Sequence, residues 1–367
     1  MKLTYKIENQ NHNIYIKKNI NNFIVNEIKK LHSDKNILFV YDGNINSKIV
    51  RNLLDDLKLS GCKIFYTKLQ SSKKNKNQKL LFNIIDTLIE KKFSKRSIII
   101  SCGGGVLSDA CALAASLYLR GTYYFNIPTT MTAMIDSCIG GKTAINYNNI
   151  INCIGNYYHA NAVFISNEII NTVPEREFIA GLPEILKCGI IKKNKIIKIL
   201  NNNKEKIIQR DFKMLTTLFS ETLKTKIFFF INDIKEKNKR LHLNFGHTFA
   251  HAIEMGTSSF KNEYLRHGEA VGIGMLCELF YSNKKKSNLF NLVENILSLY
   301  NLPTKIDYKN QKLNKQFLQN SIYKKIFLDK KRINNNPRYI HITKIGKPKI
   351  NEIEDLNLLN ETILHLM

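Results

Sequence analysis

The sequence predicts an α/β domain followed by a mainly helical domain, and three observations support this. Residues 1–170 alternate strand-like apolar runs with amphipathic helical segments. One such run, residues 98–100, leads into three consecutive glycines at 103–105, and a helical segment follows at once. After Pro174 the chain reads as successive helices. We therefore predict a Rossmann-like, mostly parallel sheet in residues 1–170 and a helical domain in residues 171–367.

The strand candidates of the first domain are short and rich in β-branched or aromatic residues. In chain order they lie at residues 37–41, 62–69, 98–100, 123–127 and 163–166. Helical segments are predicted between them, at residues 46–59, 78–91 and 109–119. This alternation favours parallel pairing, because a parallel neighbour needs a crossover connection that is usually a helix.

The second domain is predicted from apolar residues that recur with helical spacing. The predicted helices lie at residues 175–187, 193–200, 213–232, 243–255 and 269–280. Residues 339–343 are predicted to form a short returning strand.

Composition narrows the class of protein. Apolar residues make up 44% of the 367 residues, which is typical of a folded globular chain. No apolar run is long enough to cross a bilayer, and the first 20 residues alternate polar and apolar side chains, unlike a signal peptide. The seven cysteines include no CxxC pair, so neither a disulfide framework nor a thiolate zinc site is indicated. We expect a cytoplasmic protein that binds no membrane.

The formal net charge of +26 has two explanations. A basic surface could bind nucleic acid. Alternatively, the abundance of Lys, Asn and Ile reflects a compositional bias, since all three have codons rich in A and T. The basic residues occur in small separated groups rather than in one arm, which favours solvated surface. We expect no nucleic-acid partner and keep this class as the remote alternative.

A strand, a glycine turn and a helix together form the usual cradle for a phosphate group. The glycine run alone is a weak signal, since Ser108 occupies the third glycine position of a dinucleotide fingerprint and a simple tight turn would explain the run equally well. The nucleotide interpretation gains support from Asp109, and from Thr129, Thr130 and Lys142 on two later turns.

A second pattern indicates a metal site. His247 and His251 are four residues apart, so a helix would place both on one face, and Asn244 and Arg240 would continue that stripe. Such a stripe makes a poor core face, because each polar group would need a buried partner. His267 follows before another predicted helix, and Glu184 and Lys187 share a face of an earlier one. Histidines with a carboxylate are a common catalytic zinc set, although a lone histidine on a helix is usually structural.

Cationic and amide side chains accompany these elements, and they suit an anionic small molecule that carries phosphate or carboxylate. They are Arg120, Lys142, Asn152, Lys187, Lys226 and Arg240. In a chain this rich in Lys and Asn, any single one of them is most often a surface residue.

A series of motifs, in one order and at one spacing, resembles the 3-dehydroquinate synthase family. The motifs are GGGVLSD (103–109), AASLYLRG (114–121), PTT (128–130), DSCIGGKTAIN (136–146), PEREFIAGLPEILKCG (174–189), RLHLNFGHTFAHAIE (240–254) and HGEAVGIGM (267–275). The resemblance covers roughly residues 100–280 and is faint outside them.

The resemblance implies an enzyme that converts 3-deoxy-D-arabino-heptulosonate 7-phosphate to 3-dehydroquinate and phosphate. Transient oxidation by NAD would be followed by β-elimination of phosphate, reduction, ring opening and an intramolecular aldol closure. It further implies a homodimer whose active site lies in the cleft between the two domains, with Zn²⁺ or Co²⁺ as the metal.

The resemblance also implies residue roles. The implied metal ligands are Glu184, His247 and His267. The implied catalytic residues are Asp136, Lys142, Lys187 and His251. The implied substrate-binding residues are Arg120, Lys142, Asn152, Lys226, Arg240, Asn244 and His251, with Lys330 or Lys331 as a further phosphate contact. The implied NAD contacts are Asp42, Asn44, Lys76, Gly103, Gly104, Gly105, Val106, Asp109, Thr129, Thr130, Lys142, Ile169 and Thr172.

Two enzymatic alternatives stay open at this point: a related sugar-phosphate cyclase with another substrate, and a metal-dependent polyol dehydrogenase of similar architecture. A dehydrogenase would accumulate NADH with its product, whereas the synthase would release phosphate with no net NADH.

Overall fold

The computed structural model describes residues 1–148, 150–257, 264–309, 314–327 and 336–367. The chain divides into two compact units. Unit 1 comprises Met1–Pro174 and Phe212–Leu223, and unit 2 comprises Glu175–Asp211 and Lys224–Met367. None of the helices in these described ranges is long and apolar enough to cross a membrane.

Unit 1 is built on a seven-stranded sheet with strand order β1-β2-β9-β6-β5-β3-β4. The strands of the unit are β1 (Lys2–Ile7), β2 (Gln10–Lys17), β3 (Asn36–Asp42), β4 (Lys63–Leu69), β5 (Ile98–Gly103), β6 (Tyr123–Pro128), β7 (Lys142–Tyr147), β8 (Ile150–Tyr157) and β9 (Ala162–Ser166). Only the β1–β2 pair of this sheet is antiparallel among the described residues. The strands β5 and β9 are buried at every position, which explains their continuous apolar sequence.

The helices of unit 1 follow the strands as expected for a parallel sheet. They are α1 (Asn21–Lys30), α2 (Ser47–Leu59), α3 (Gln78–Glu90), α4 (Gly105–Leu117) and α5 (Asn167–Thr172). The start of α3 is capped by the residue that precedes it: the Asn77 side chain accepts hydrogen bonds from two backbone N–H groups of the first turn. The predicted mostly parallel α/β fold is confirmed, although α4 begins four residues before the predicted start at Asp109.

Pairing of the parallel strands brings the predicted nucleotide loops to one edge of the sheet. Gly103 at the end of β5 pairs with Pro128 at the end of β6, and the Thr129 N–H donates to the Gly103 carbonyl at 2.9 Å. The carboxyl edge of a parallel sheet is where such folds bind ligands.

Unit 2 is mainly helical. Its helices are α6 (Glu175–Ile179), α7 (Leu182–Ile191), α8 (Asn194–Asn202), α9 (Lys204–Ile208), α10 (Phe212–Phe230, shared with unit 1), α11 (His247–Gly256), α12 (His267–Asn283), α13 (Asn288–Leu299), α14 (Lys315–Ile326) and α15 (Leu356–His365). Unit 2 also contains a two-stranded antiparallel sheet, β10 (Arg338–Ile342) and β11 (Pro348–Glu352). The strand β10 lies where the sequence predicted a strand, at residues 339–343.

The helix α12 is the centre of unit 2. It is buried on all sides from Gly268 to Tyr281, and it packs against α7, α11, α13, α15 and β10. Glycines make this close packing possible. A Cβ at Gly268 would lie 1.7 Å from the Ala180 carbonyl oxygen, and a Cβ at Gly274 would lie 2.0 Å from the Gly246 carbonyl oxygen.

Two predicted helices of unit 2 are each interrupted, so their single-helix predictions are wrong. The segment predicted at 175–187 forms α6 and α7, because the chain breaks at Gly181 and restarts with Pro183 in the first turn of α7. The segment predicted at 243–255 begins instead as a 3₁₀ turn, Lys239–Asn244, and α11 starts only after Gly246, whose φ is +82°.

Candidate metal and substrate site

Three side chains that the resemblance implies as metal ligands come together in unit 2. Glu184 lies in the first turn of α7, His247 is the first residue of α11, and His267 is the first residue of α12. Their candidate ligand atoms all lie within 4.8 Å of one another. All three residues lie in the first turn of a helix, so the packing of the starts of α7, α11 and α12 determines the distances between them.

The distances within this cluster fit a tetrahedral metal ion. Glu184 Oε1 lies 3.3 Å from His247 Nε2 and 3.4 Å from His267 Nε2. Zinc binds N and O ligands at about 2.0–2.1 Å, so two ligands of a tetrahedral ion are about 3.3–3.4 Å apart. A carboxylate with two imidazoles is also the donor set of many catalytic zinc ions, which keep a fourth position open.

The far nitrogen of each imidazole has a hydrogen-bond acceptor. His267 Nδ1 lies 3.0 Å from Glu254 Oε2, and His247 Nδ1 lies 3.2 Å from the Phe245 carbonyl oxygen. An acceptor at Nδ1 places the proton there and leaves the Nε2 lone pair free to bind a metal. Both rings therefore present their ligand atom toward Glu184 Oε1.

The second carboxylate oxygen of Glu184, Oε2, contacts a lysine rather than the histidines. Lys187, one helical turn later on α7, forms an ion pair with Glu184 Oε2, and its side chain is 2% exposed. Neither oxygen of Glu184 has a hydrogen bond of good geometry among the described residues. The lysine thus compensates part of the buried charge and leaves Oε1 directed at the two imidazoles.

Electrostatics prepare the cluster for a cation. Although burial opposes ionisation, Lys187 and His247 hold the pKa of Glu184 well below its usual value. Burial and the nearby Lys187 lower the pKa of His247. For His267, burial acts in the same direction, but Glu254 and Glu184 outweigh it and raise the pKa to about 10. A metal ion would therefore compete with a proton on His267, whereas His247 is already inclined to the neutral form that binds metal.

A pocket borders the cluster within unit 2. Asn244, His247, Thr248, His251 and Arg338 line it together with four apolar or aromatic residues. The His251 ring lies 5.6 Å from that of His247 and 6.2 Å from that of His267, centroid to centroid. His251 shares a helix face with His247, as predicted, but it lies outside the metal-ligand cluster.

The other predicted polar residues of unit 2 are held by local contacts. Arg240 Nη1 donates to the Ile234 carbonyl at 2.7 Å, and its guanidinium lies 5.6 Å from the centroid of the Phe230 ring. Asn244 Nδ2 donates to Glu236 Oε1 at 2.9 Å. Lys226 is buried on α10. Arg240 and Asn244 do not continue the α11 stripe, because Gly246 separates their 3₁₀ turn from that helix. Lys330 and Lys331 lie outside the described residues.

In unit 1 the predicted cofactor residues surround the carboxyl edge of the sheet. Asp42 ends β3 and accepts a hydrogen bond from the Asn44 N–H at 2.9 Å. Gly104 is the N-cap of α4, and a Cβ there would lie 3.1 Å from Thr130. The first turn of α4 begins at this edge, and the N-terminus of a helix favours the negative charge of a phosphate group. The remaining predicted residues of this edge lie at the end of β5, in α4, in the loop after β6 and in α5: Gly103, Gly105, Val106, Thr129, Ile169 and Thr172.

Lys76 connects two residues with different predicted roles. Its Nζ donates to Asp109 Oδ2 at 2.5 Å and to Asn152 Oδ1 at 2.6 Å. Burial raises the pKa of Asp109, and Lys76 opposes that shift. Asp109 and Lys76 are predicted NAD contacts, whereas Asn152 is a predicted substrate contact, so one buried ammonium group links the two sets.

Three further predicted residues lie at distinctive backbone positions in unit 1. Arg120 has a left-handed conformation with φ +61° after α4, and Asp136 lies in a π-helical turn, Ala133–Ser137. Such turns occur often at functional sites. Lys142 starts β7 and pairs with Tyr157, whereas Asn152 lies near the turn of the same hairpin, so the two predicted phosphate contacts are several residues apart along it.

Sequence reasoning missed two residues of this site. Glu254 lies three residues after His251 on α11 and reaches His267 on the next helix, a contact that only the packing of α11 on α12 creates. Arg338 starts β10 and lines the pocket beside His251. The spacing of His247, His251 and Glu254 at i, i+4 and i+7 was the available signal for Glu254.

The fold and site together define a class of proteins: a mostly parallel α/β unit and a helical unit with a partly buried carboxylate–bis-histidine cluster. Family profiles show which family within this class the chain matches. The profile described as 3-dehydroquinate synthase N-terminal matches residues 66–180, and the profile described as 3-dehydroquinate synthase C-terminal matches residues 181–332. The chain belongs to the 3-dehydroquinate synthase family.

An individual relative agrees with this assignment, and two solved structures share the fold. The 3-dehydroquinate synthase of Prochlorococcus marinus subsp. pastoris is 32% identical over 98% of this chain and 97% of its own length. Among solved structures, 2-deoxy-scyllo-inosose synthase complexed with carbaglucose-6-phosphate, NAD⁺ and Co²⁺ has the same fold, with a TM-score of 0.87 at 22% identity over 100% of both chains. The 2-epi-5-epi-valiolone synthase of Streptomyces hygroscopicus subsp. jinggangensis, with NAD⁺ and Zn²⁺ bound, gives a TM-score of 0.80 at 23% identity over 92% of both chains.

Proposed function

We propose that this chain is a 3-dehydroquinate synthase, which converts 3-deoxy-D-arabino-heptulosonate 7-phosphate to 3-dehydroquinate and phosphate. The observation that carries the proposal is the cluster of Glu184, His247 and His267, whose ligand atoms face one another at the spacing of a tetrahedral ion. In a chain of this family, that cluster fits a catalytic metal that orients a substrate hydroxyl. Zn²⁺ and Co²⁺ suit the same ligands.

In the proposed reaction, NAD and the metal would carry out the redox chemistry, and the side chains would bind the substrate and transfer protons. When bound, NAD accepts a hydride and later returns it, and the metal polarises the hydroxyl that is oxidised. Oxidation acidifies the adjacent C–H bond, so phosphate can leave by β-elimination. The protein has to hold the substrate, stabilise the developing negative charge and accept or supply protons.

The side chains of unit 2 suit these tasks. Lys187 lies beside Glu184 and provides a fixed positive charge next to the metal cluster. His251 and Asn244 line the pocket beside it, where an imidazole and an amide can hold a phosphate group. Lys226 and Arg240 are buried cations of the same unit, suited to the substrate carboxylate. Lys330 and Lys331 stay proposed as alternative phosphate contacts.

In unit 1 we propose that NAD occupies the carboxyl edge of the sheet. The first turn of α4 would receive the pyrophosphate, and Asp42, Asn44 and Thr130 would border the rest of the cofactor. Asp136 and Lys142 are the proposed substrate-facing residues of this unit.

We also propose a homodimer formed through the β7–β8 hairpin. Every residue of β8 is exposed, including apolar side chains that a monomer would leave in water. They are Ile150, Ile151, Ile154 and Tyr157, and Tyr147 on β7 joins them. The double substitution Ile151→Asp with Ile154→Asp should shift the sedimentation coefficient from dimer to monomer, whereas Leu59→Asp, at an isolated site that is 85% exposed, should not. A dimer that persists in the double variant contradicts this interface.

One assay tests the proposed activity and separates its alternatives. Purified protein loaded with Zn²⁺ and NAD should release phosphate from the heptulosonate phosphate without net formation of NADH. A chelator that strips the metal should abolish the release. Stoichiometric NADH would instead indicate a polyol dehydrogenase, and release only from another sugar phosphate would indicate a related cyclase. No phosphate release from the loaded protein would refute the proposal.

A further inference from the structure

We propose that Glu254 is a positioning residue for the metal site: its carboxylate fixes the ring of His267 and thereby sets the affinity of the site for its metal ion. The inference rests on the proposed metal site and adds a residue to it. Glu254 Oε2 lies 3.0 Å from His267 Nδ1, and the two side chains are 20% and 31% exposed. Water therefore competes with this contact only in part.

The position of Glu254 excludes a role as a ligand of the same ion. Its carboxylate contacts Nδ1, whereas Nε2 of the same ring lies 3.4 Å from Glu184. The two nitrogens direct their lone pairs to different sides of an imidazole. Glu254 thus acts from behind the ring, where a carboxylate that accepts the Nδ1 proton orients the imidazole and increases its basicity.

The helix α11 carries both a metal-ligand candidate and the carboxylate that contacts the other histidine. His247, His251 and Glu254 occupy positions i, i+4 and i+7 of α11, so they share one face, and Glu254 on that face reaches His267 at the start of the neighbouring α12. His267 is the first residue of α12 and has no preceding helical turn to restrict its side chain. A carboxylate on the neighbouring helix supplies the restraint instead.

The two histidines of the cluster are therefore held unequally. Phe245 supports His247 through a neutral backbone carbonyl at 3.2 Å, whereas a charged side chain supports His267. Hydrogen bonds that involve a charged group are roughly twice as strong as neutral ones. A substitution of Glu254 should therefore change metal affinity without removal of a ligand.

The test is metal affinity, measured by chelator competition for Zn²⁺ and by the visible absorption of bound Co²⁺. Loss of such a supporting group typically weakens binding by about 10–100-fold, so we expect Glu254→Ala to raise the dissociation constant within that range. Glu254→Gln keeps an acceptor but removes the charge, and we expect a smaller increase, of several fold. Glu294→Gln is the matched control, because Glu294 is a partly exposed carboxylate of the same unit that pairs with Lys286.

Thermal unfolding of the metal-free variants separates positioning from folding. We expect Glu254→Gln to unfold near the wild-type midpoint while its metal affinity falls, so this variant decides the case if Glu254→Ala does not fold. Metal affinity within twofold of wild type in both Glu254 variants, or an equal loss in Glu294→Gln, would overturn the inference. Wild-type protein that binds neither ion would refute the proposed metal site itself, which is a distinguishable result.

Discussion

The close contact between α11 and α12 at Gly274 gives a quantitative prediction about stability and metal binding. A Cβ at Gly274 on α12 would lie 2.0 Å from the Gly246 carbonyl oxygen and 2.9 Å from the Ala250 nitrogen. Those two atoms form the first hydrogen bond of α11, at 3.0 Å. The substitution Gly274→Ala therefore places a methyl group against a backbone hydrogen bond that cannot rotate away.

Gly272, two positions earlier on α12, is the matched control. A Cβ there would lie 3.1 Å from Leu297 Cδ2, the end of a flexible side chain. Both substitutions gain about 1 kcal/mol from the better helix propensity of alanine. Overpacking typically costs about 1–3 kcal/mol, and rigid backbone puts Gly274→Ala at or above the upper end of that range. We expect Gly274→Ala to destabilise unit 2 by about 2 kcal/mol and Gly272→Ala to be nearly neutral or slightly stabilising.

The methyl group of Gly274→Ala should also push α11 away from α12, and this movement should affect the metal cluster. His247 starts α11 and His267 starts α12, so separation of the two helices lengthens the distance between the two ligands. Urea unfolding followed by far-ultraviolet circular dichroism measures the first effect, since the chain contains no tryptophan. A Co²⁺ titration measures the second. Equal stability and equal cobalt affinity in the two variants would show that the close approach of α11 and α12 does not control the site.

Three further predictions concern charged groups. Glu184→Gln removes a ligand rather than its support, so it should weaken zinc binding by more than about 100-fold, as chelator competition would show, and an unchanged affinity would exclude Glu184 as a ligand. Because the pKa of His267 is raised to about 10 in the metal-free site, that ring is protonated at pH 7, and zinc binding should release about one proton, measurable as buffer-dependent heat in calorimetry; no proton release would contradict the raised pKa. Lys76→Met leaves Asp109, whose side chain is 19% exposed, without its partner and should destabilise unit 1 by about 2 kcal/mol at pH 7. Since the pKa of Asp109 is raised in the folded state, its protonated form favours folding, so this loss should shrink as pH falls toward 4; a loss that is independent of pH would refute the assignment to Asp109.

The sequence was most informative where spacing within one element decides the result. The strand runs of unit 1 appear at the predicted places, because a buried parallel strand requires a continuous apolar stretch. His247 and His251 share a helix face because four residues make about one turn. Neither result depends on knowledge of which elements pack together.

Contacts between elements were beyond sequence reasoning. Helical periodicity continued through Gly246, yet the helix begins only after it, because Gly246 has a left-handed backbone conformation. The position also requires glycine, since a Cβ there would lie 2.8 Å from Met275 on α12. The hairpin of β7 and β8 was not predicted either, since its alternation of polar and apolar residues is irregular and β8 is exposed at every position. Glu254 was missed because its partner is on another helix.

The break at Gly246 also explains how the metal cluster obtains its geometry. If α11 continued upstream, the Phe245 carbonyl would be occupied by a helical hydrogen bond four residues later. The left-handed Gly246 ends that continuation and leaves the Phe245 oxygen beside His247 Nδ1, 3.2 Å away. The same glycine admits α12 to close contact, which brings His267 to the cluster. One backbone position therefore supports both histidines, so Gly246→Ala should weaken metal binding even though no ligand or supporting side chain is changed.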